Sequence, residues 1–407
     1  MQGYCCIKAV SLHSHISFMK IKKLLTTIIT LLLALVLAGC GGSGTVGEAG
    51  TGTGVWDEHL TSSMELKYAD QFHIDHYEDG ISVVTVEDGL RYLITENADT
   101  LPEWLPEDEV REMTVITTPV HAVYNAASSA MDLIDAVDGL DSVIMTSTQA
   151  SDWCIDKIKK LVENDTIRYI GKYRAPDYEA LLEGDVDLAI ESTMIYHSPQ
   201  IKEAIEELGI PVLVERSSYE SDPLGRLEWI KLYGLLFGKS EEARLFFDEA
   251  VAKIEGVDTD AVKEAPSVAF FSVNSNGSVV VRKPGDYVTK MIETAGGSYA
   301  LDGITSEEDN ALSTMNMQME AFYDKAVDAD ILIYNSTIEG SLDGMSDLTA
   351  LSDKFNDFAA VKSGNVWCTD ASTFQRTTGA ADMIVEMNQI FAGAANDDGM
   401  EYFHKLN

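Results

Sequence analysis

An apolar stretch, broken only by threonines, covers residues 24–37 directly behind Lys20, Lys22 and Lys23. It is shorter than the roughly 20 apolar residues that a membrane-spanning helix needs. Its basic front and its small-residue end at Ala38-Gly39 have the form of a secretory signal over residues 1–39. The basic run begins at Met19, which is the expected start of that signal. Residues 41–54 are rich in Gly, Ser and Thr, with no hydrophobic period, and predict a flexible tether over 40–56.

Next comes β-type alternation. Residues 81–86 and 90–94, separated by Glu87-Asp88-Gly89, predict a hairpin within an N-terminal segment over 57–110. From there strands and helices alternate. Strands are expected at 115–117, 143–145, 167–170, 188–190 and 212–214, with helices at 126–137, 154–162, from 178, and at 200–208. Asp222-Pro223 starts a helix expected to reach about residue 237, because Asp caps the first turn and Pro suits the first helical position. A second helix follows Ser240, with the stripe Ala243, Phe246, Phe247, Ala250, Val251 and Ile254. After Ala265-Pro266 the alternation restarts, with strands at 268–271, 279–281, 331–334 and 365–367 and helices at 287–295, 319–326 and 380–391. Such alternation with short loops predicts an α/β protein with parallel sheets: one lobe over 111–221, a helical linker over 222–258 and a second lobe over 265–407.

The lobes share an echo. Glu179-Ala180 precedes Val186-Asp187 and a strand; Glu320-Ala321 precedes Val327-Asp328 and a strand, with two more residues intervening in the second copy.

Charge narrows the function. The chain carries −38, and since residues 1–39 hold four Lys and no acid, residues 40–407 carry −42. That excludes nucleic acid as a partner and disfavours lying flat on anionic lipid. Of five Cys, Cys5 and Cys6 fall in the discarded segment. Cys154 and Cys368 are expected as two reduced, buried thiols. No P-loop, no G-x-S-x-G elbow and no H-E-x-x-H occurs, so an enzyme on an α/β scaffold lacks a visible nucleophile and base. A bare zinc or manganese site would draw on His121, His197 and a carboxylate, but no His-rich tract accompanies them.

Leu37-Ala38-Gly39-Cys40 resembles the bacterial lipobox, which implies that Cys40 carries lipid and anchors the chain to the extracytoplasmic face of the cell membrane. The folded part resembles the ABC-transporter substrate-binding proteins of the iron-siderophore, haem and cobalamin type over about residues 111–395. The carriers are Pro176-Asp177-Tyr178-Glu179-Ala180-Leu181-Leu182, Leu208-Gly209-Ile210-Pro211-Val212, Tyr233-Gly234-Leu235-Leu236-Phe237-Gly238, Ala295-Gly296-Gly297 and Met319-Glu320-Ala321. This resemblance implies two Rossmann-like lobes joined by a long rigid helix, with a ligand cleft between them. It implies a monomer that captures an iron complex or corrinoid and delivers it to a permease dimer driven by an ATPase. No cofactor is implied beyond the iron or cobalt of the ligand. Glu179 and Glu320 match the family's two docking carboxylates. The departures are Val186, where relatives carry Pro, and the long N-terminal segment, which either shapes the cleft or covers a sheet edge.

In such folds ligands meet loops at the C-terminal ends of strands. The expected ligand contacts are Trp153, Arg174, Tyr196, Arg216, Tyr219, Arg282, Tyr287 and Arg376. Guanidinium forks suit carboxylate or catecholate oxygens, and aromatic rings suit an aryl or macrocyclic face.

Overall fold

The structure, a computed structural model, describes residues 54–304, 313–396 and 399–407. The signal over 1–39, the start at Met19, the lipid site Cys40 and most of the tether lie outside the described residues.

Period-2 alternation builds the first sheet. Strands β1 (Leu60–Ser63), β2 (Phe72–Tyr77), β3 (Ser82–Val86), β4 (Arg91–Thr95) and β5 (Thr114–Thr117) pair in sequence order. The first four are antiparallel, and β5 joins β4 in parallel. Phe72, Ile74, Val84, Val86, Tyr92 and Ile94 face one way, into the core shared with the first lobe and the linker. Ile81, Val83 and Leu93 face the other way and are covered by Leu105 and Met113. Residues 115–117, expected to open the first lobe, belong to this sheet instead. The strand that opens the lobe, β6 (Val123–Asn125), is only three residues long and carries too little pattern to be read.

The first lobe is an all-parallel sheet of β6, β7 (Val143–Thr146), β8 (Arg168–Tyr169), β9 (Leu188–Ser192) and β10 (Val212–Glu215), in the order β10-β9-β6-β7-β8. Helices α1 (Ser128–Ala136), α2 (Asp156–Glu163), α3 (Tyr178–Glu183) and α4 (Pro199–Glu207) make the crossovers. Both faces are buried, which explains the unbroken apolar runs.

The linker comprises α5 (Pro223–Glu228), α6 (Ile230–Leu236) and α7 (Ser240–Glu255). The helix expected from 222 to 237 is interrupted at Trp229, whose fully buried ring wedges against Phe72 at 4.7 Å between centroids. The longest linking element is α7, 16 residues.

The second lobe contains β11 (Ser267–Val273), β12 (Val279–Arg282), β13 (Ser298–Tyr299), β14 (Thr314–Met317), β15 (Ile331–Tyr334), β16 (Val366–Thr369) and β17 (Phe403–Lys405), in the order β14-β12-β11-β15-β16-β17 with β13 beside β11. Only β13, β11, β15 and β16 run parallel. β12, β14 and β17 are antiparallel to their neighbours, so this sheet is mixed. Its helices include α8 (Tyr287–Thr294), α9 (Met319–Ala326), α10 (Ser336–Glu339) and α11 (Ala380–Phe391).

The echo between lobes has a structural cause. Asp187, just before β9, accepts from the amides of His121 and Ala122 at 2.7 and 3.1 Å, gripping the chain that enters β6. Asp330, just before β15, accepts from the amide of Ser267 at 2.8 Å, at the start of β11. The counterpart of Asp187 is therefore Asp330, and the two extra residues fall before it, not after the Asp328 that the sequence aligned.

The N-terminal sheet is fastened by two carboxylates, Glu228 of the linker and Glu220 of the turn that leads into it. Glu228, fully buried, accepts from the amides of Lys67, Tyr68 and Ala69 at 2.8–3.1 Å and from Lys231 Nζ at 2.6 Å. Glu220 accepts from the amides of Asp70 and Gln71 and from the Trp229 indole at 2.9–3.1 Å. Gly225 lies so near this strap that a Cβ there would sit 2.8 Å from the Tyr68 carbonyl oxygen. Glu228→Ala is expected to cost about 3–5 kcal/mol, because it strands buried amides and the Lys231 ammonium. Denaturant unfolding measures the loss, and hydrogen exchange should quicken at residues 67–69. A loss under about 1 kcal/mol with unchanged exchange would contradict this role.

Candidate functional site

The C-terminal ends of the lobe strands converge where the lobes meet. Gln375, buried, spans the junction: its amide nitrogen donates to the Asp152 carbonyl and its amide oxygen accepts from the Cys154 amide, both at 2.7 Å. Asp132 of α1 accepts from the Thr378 amide at 2.8 Å and from its hydroxyl at 2.6 Å. Thr377 donates to the Ser129 carbonyl at 3.3 Å.

Beside this junction, the second lobe and the linker form two adjoining small hollows of about 30 Å³ each. The first is lined by Phe270, Arg282, Tyr287, Asn335, Thr337 and Phe374, among others. The second shares Tyr287 and Phe374 and adds Arg226 and Arg376. Arg282 ends β12 and is 9% exposed. It donates to the Ser313 hydroxyl at 3.2 Å, lies 3.7 Å from Asp286, and its guanidinium sits 5.3 Å from the Tyr287 ring centre. Burial works against its charge, yet the oxygens of Tyr287 and Asp286 hold its pKa above the ordinary arginine value. Arg226 of α5 stacks 3.6 Å from the same ring. It donates to the Ser218 and Glu220 carbonyls at 2.5 and 3.3 Å and makes no ion pair among the described residues. Arg376 pairs with Glu401 and lies over the Tyr402 ring. Phe374, 59% exposed, lines both hollows and gives this wall an apolar lip.

The first-lobe wall is built differently. Arg216 follows β10 and pairs with Asp88 at 3.3 Å. It donates to the Gln71 side chain at 3.2 Å and lies over the Tyr219 ring at 4.4 Å. Tyr196 donates its hydroxyl to the same Asp88. Thus Arg282, Tyr287 and Arg376 come together on one wall, and Tyr196, Arg216 and Tyr219 on the other. Trp153 and Arg174 join neither. Trp153 is 2% exposed and packs in the core, its indole donating to the Thr148 carbonyl. Arg174 is exposed after β8 and bonds its neighbour Tyr173. Arg226 was missed by sequence reasoning, although a charge inside the otherwise apolar start of a helix was the available signal. Of the thiols, Cys368 is buried and Cys154 is exposed, which corrects the expectation of two buried cysteines.

Glu179 and Glu320 each occupy the second position of their helix, α3 and α9, and both are exposed. Asp177 caps α3 by accepting from the Glu179 and Ala180 amides. Glu320 stands 3.6 Å from Lys354.

The chain belongs to the periplasmic binding protein family, whose model matches residues 127–373. Two uncharacterized lipoproteins of Methanocaldococcus jannaschii are each 23% identical, over 380 and 357 residues. They cover 87% and 84% of this chain and 89% and 86% of the relative. Among solved structures, a periplasmic heme binding protein from Pseudomonas aeruginosa superposes with a TM-score of 0.53 at 15% identity, over 70% of this chain and 98% of that one. The petrobactin-binding protein YclQ from Bacillus subtilis gives 0.54 at 16% identity, over 69% and 93%. These likenesses establish the two-lobed fold. Among the described residues, no helix is long and apolar enough to cross a membrane.

One carboxyl in the first lobe stands apart. Glu191 of β9 is fully buried, and neither of its oxygens has a hydrogen-bond partner among the described residues. Burial pushes it up to about 8 from 4.5. A raised folded-state value means that its stabilising effect is complete below about pH 4.5 and is lost as pH rises to about 8. Glu191→Gln should therefore gain stability relative to wild type by about 1.4 kcal/mol per pH unit across that window, read from urea unfolding at several pH values. Parallel curves for the two proteins would contradict the assignment.

Proposed function

We propose that this protein is the substrate-binding lipoprotein of an ABC importer. It captures an iron complex, siderophore or haem, or a corrinoid outside the membrane, and its action is capture rather than catalysis. The observation that carries this reading is the wall around Tyr287: Arg226 and Arg282 flank its ring beside hollows lined by the exposed Phe374. Such a wall suits a ligand with anionic oxygens and an apolar or aryl face. The heme- and petrobactin-binding neighbours share the fold and support the ligand class. The bare-metal alternative finds less support. His121 and His197 are exposed, and among the described residues no group of three His, Cys, Asp or Glu could hold a metal ion.

Glu179 and Glu320 would meet basic residues on a permease dimer, one carboxylate per lobe, fixing register and speeding encounter more than adding affinity. Lipid on Cys40 would keep the binder at the membrane. The linker helices would limit opening to a modest hinge, since packed helices resist bending.

Native mass spectrometry of the purified protein against ferric siderophores, haem and corrinoids should show one bound complex, and Arg282→Ala should weaken it at least about tenfold. Binding of none of them, or stoichiometric zinc uptake that His121 and His197 variants lose, would contradict the reading. The Glu179→Ala/Glu320→Ala double variant should keep ligand affinity and stay within about 0.5 kcal/mol of wild-type stability. It should lose cellular uptake of the ligand; uptake at the wild-type rate would refute the docking role.

A further inference from the structure

The N-terminal sheet lies outside the family match, which begins at residue 127, yet its β3–β4 turn reaches the first-lobe wall. Glu87-Asp88-Gly89 closes the hairpin, with the Gly89 amide donating to Val86 at 2.8 Å and Gly89 in the left-handed region at φ 88°. The Leu90 amide donates to Asp88 Oδ1 at 3.2 Å, which fixes the carboxylate. Its other oxygen accepts from two residues that follow strands of the first lobe, the Arg216 guanidinium after β10 and the Tyr196 hydroxyl after β9. The Arg216–Asp88 pair is largely screened from water, with side chains 12% and 18% exposed. Arg216 Nε is buried and has no hydrogen-bond partner among the described residues. Arg226, held by the carbonyls of the Ser218–Glu220 turn next to Tyr219, points its guanidinium to the Tyr287 ring of the second lobe and makes no ion pair among the described residues.

We infer that Asp88 is a specificity-determining residue, which acts by positioning and neutralising Arg216. It cancels the cation of the first-lobe wall and leaves the anionic groups of the ligand to the linker and second-lobe wall. The ligand is thereby read for charge distribution as well as size: its anionic edge faces Arg226 and Arg282, and its neutral edge faces Arg216, Tyr196 and Tyr219. A symmetric, highly anionic complex would place oxygens against the Asp88 carboxylate and be disfavoured. This rests on the proposal that the cleft takes a metal complex.

The test uses two ferric complexes of equal coordination number and different charge: a trianionic tris-catecholate and a neutral tris-hydroxamate. Tryptophan fluorescence titration gives Kd for each with the wild type, Asp88→Asn, Asp88→Ser and Asp88→Glu. The two charge-removing variants should raise the ratio of catecholate to hydroxamate affinity about tenfold or more, the size of one partly desolvated charge contact. Asp88→Glu should hold the wild-type ratio. Asn and Ser both suit a turn, and general loosening of the fold would weaken both complexes without moving the ratio. Wild-type binding with a ratio that the Asn and Ser variants leave unchanged overturns this inference alone. Failure of the wild type to bind either complex overturns this inference alone if haem or a corrinoid binds, and the proposed function with it if neither of those binds.

Discussion

Five consecutive backbone amides, those of residues 67 to 71, end on two carboxylates, Glu228 of the linker and Glu220 of the turn before it. Buried amides cannot be left without acceptors, so the chain at this point has one place to lie. That place puts Phe72 against Trp229 and Gly225 under the Tyr68 carbonyl, and it aligns the first sheet along the edge of the first lobe. Tyr92 of that sheet accepts from the Val214 amide of edge strand β10 at 3.0 Å. The N-terminal segment therefore both covers an edge and carries Asp88 to the cleft.

The two walls of the cleft differ because different constraints built them. The first-lobe wall consists of strand-end residues that the N-terminal sheet has already engaged. The second-lobe wall is organised around one aromatic ring, Tyr287, with a guanidinium from the linker at 3.6 Å and one from β12 at 5.3 Å. Since Arg226 is held by carbonyls of the Ser218–Glu220 turn, the ring of a second-lobe residue rests on a strut fixed to the first lobe. Relative movement of the lobes must slide or part that stack. The binding wall and the hinge thus share a contact, which gives ligand and lobe closure a physical means of influencing each other.

Most of the architecture was legible because its causes are local. The stripe from Ala243 to Ile254, the Asp222-Pro223 start and the alternation in 81–94 each depend on neighbours within a few residues. The features that escaped notice depend on residues far apart in the chain. Strand β6 is three residues long and is a strand only because β7 and β9 flank it. The helix break at Trp229 answers to Phe72, some 150 residues earlier. At the site, Arg282 and Tyr287 could be placed from strand ends, since β12 leads directly into α8. Arg226 could not, because its partner Tyr287 lies on another lobe. Trp153 showed the opposite failure: it occupies a strand-end loop, as a ligand contact would, but its ring turns inward. Asp88 looked like an ordinary turn residue, and only the strap at 67–71 brings it to Arg216.

The central claim is that the second lobe and the linker hold the ligand's charged groups around Tyr287. A crystal structure of the protein with a bound ferric complex tests it most directly, because the anomalous signal of iron locates the ligand without ambiguity. The account predicts iron between the walls, with the anionic ligand oxygens on Arg226 and Arg282 and the Arg216–Asp88 pair intact. Iron bound away from Tyr287, or ligand oxygens on Arg216 with Asp88 displaced, would contradict it.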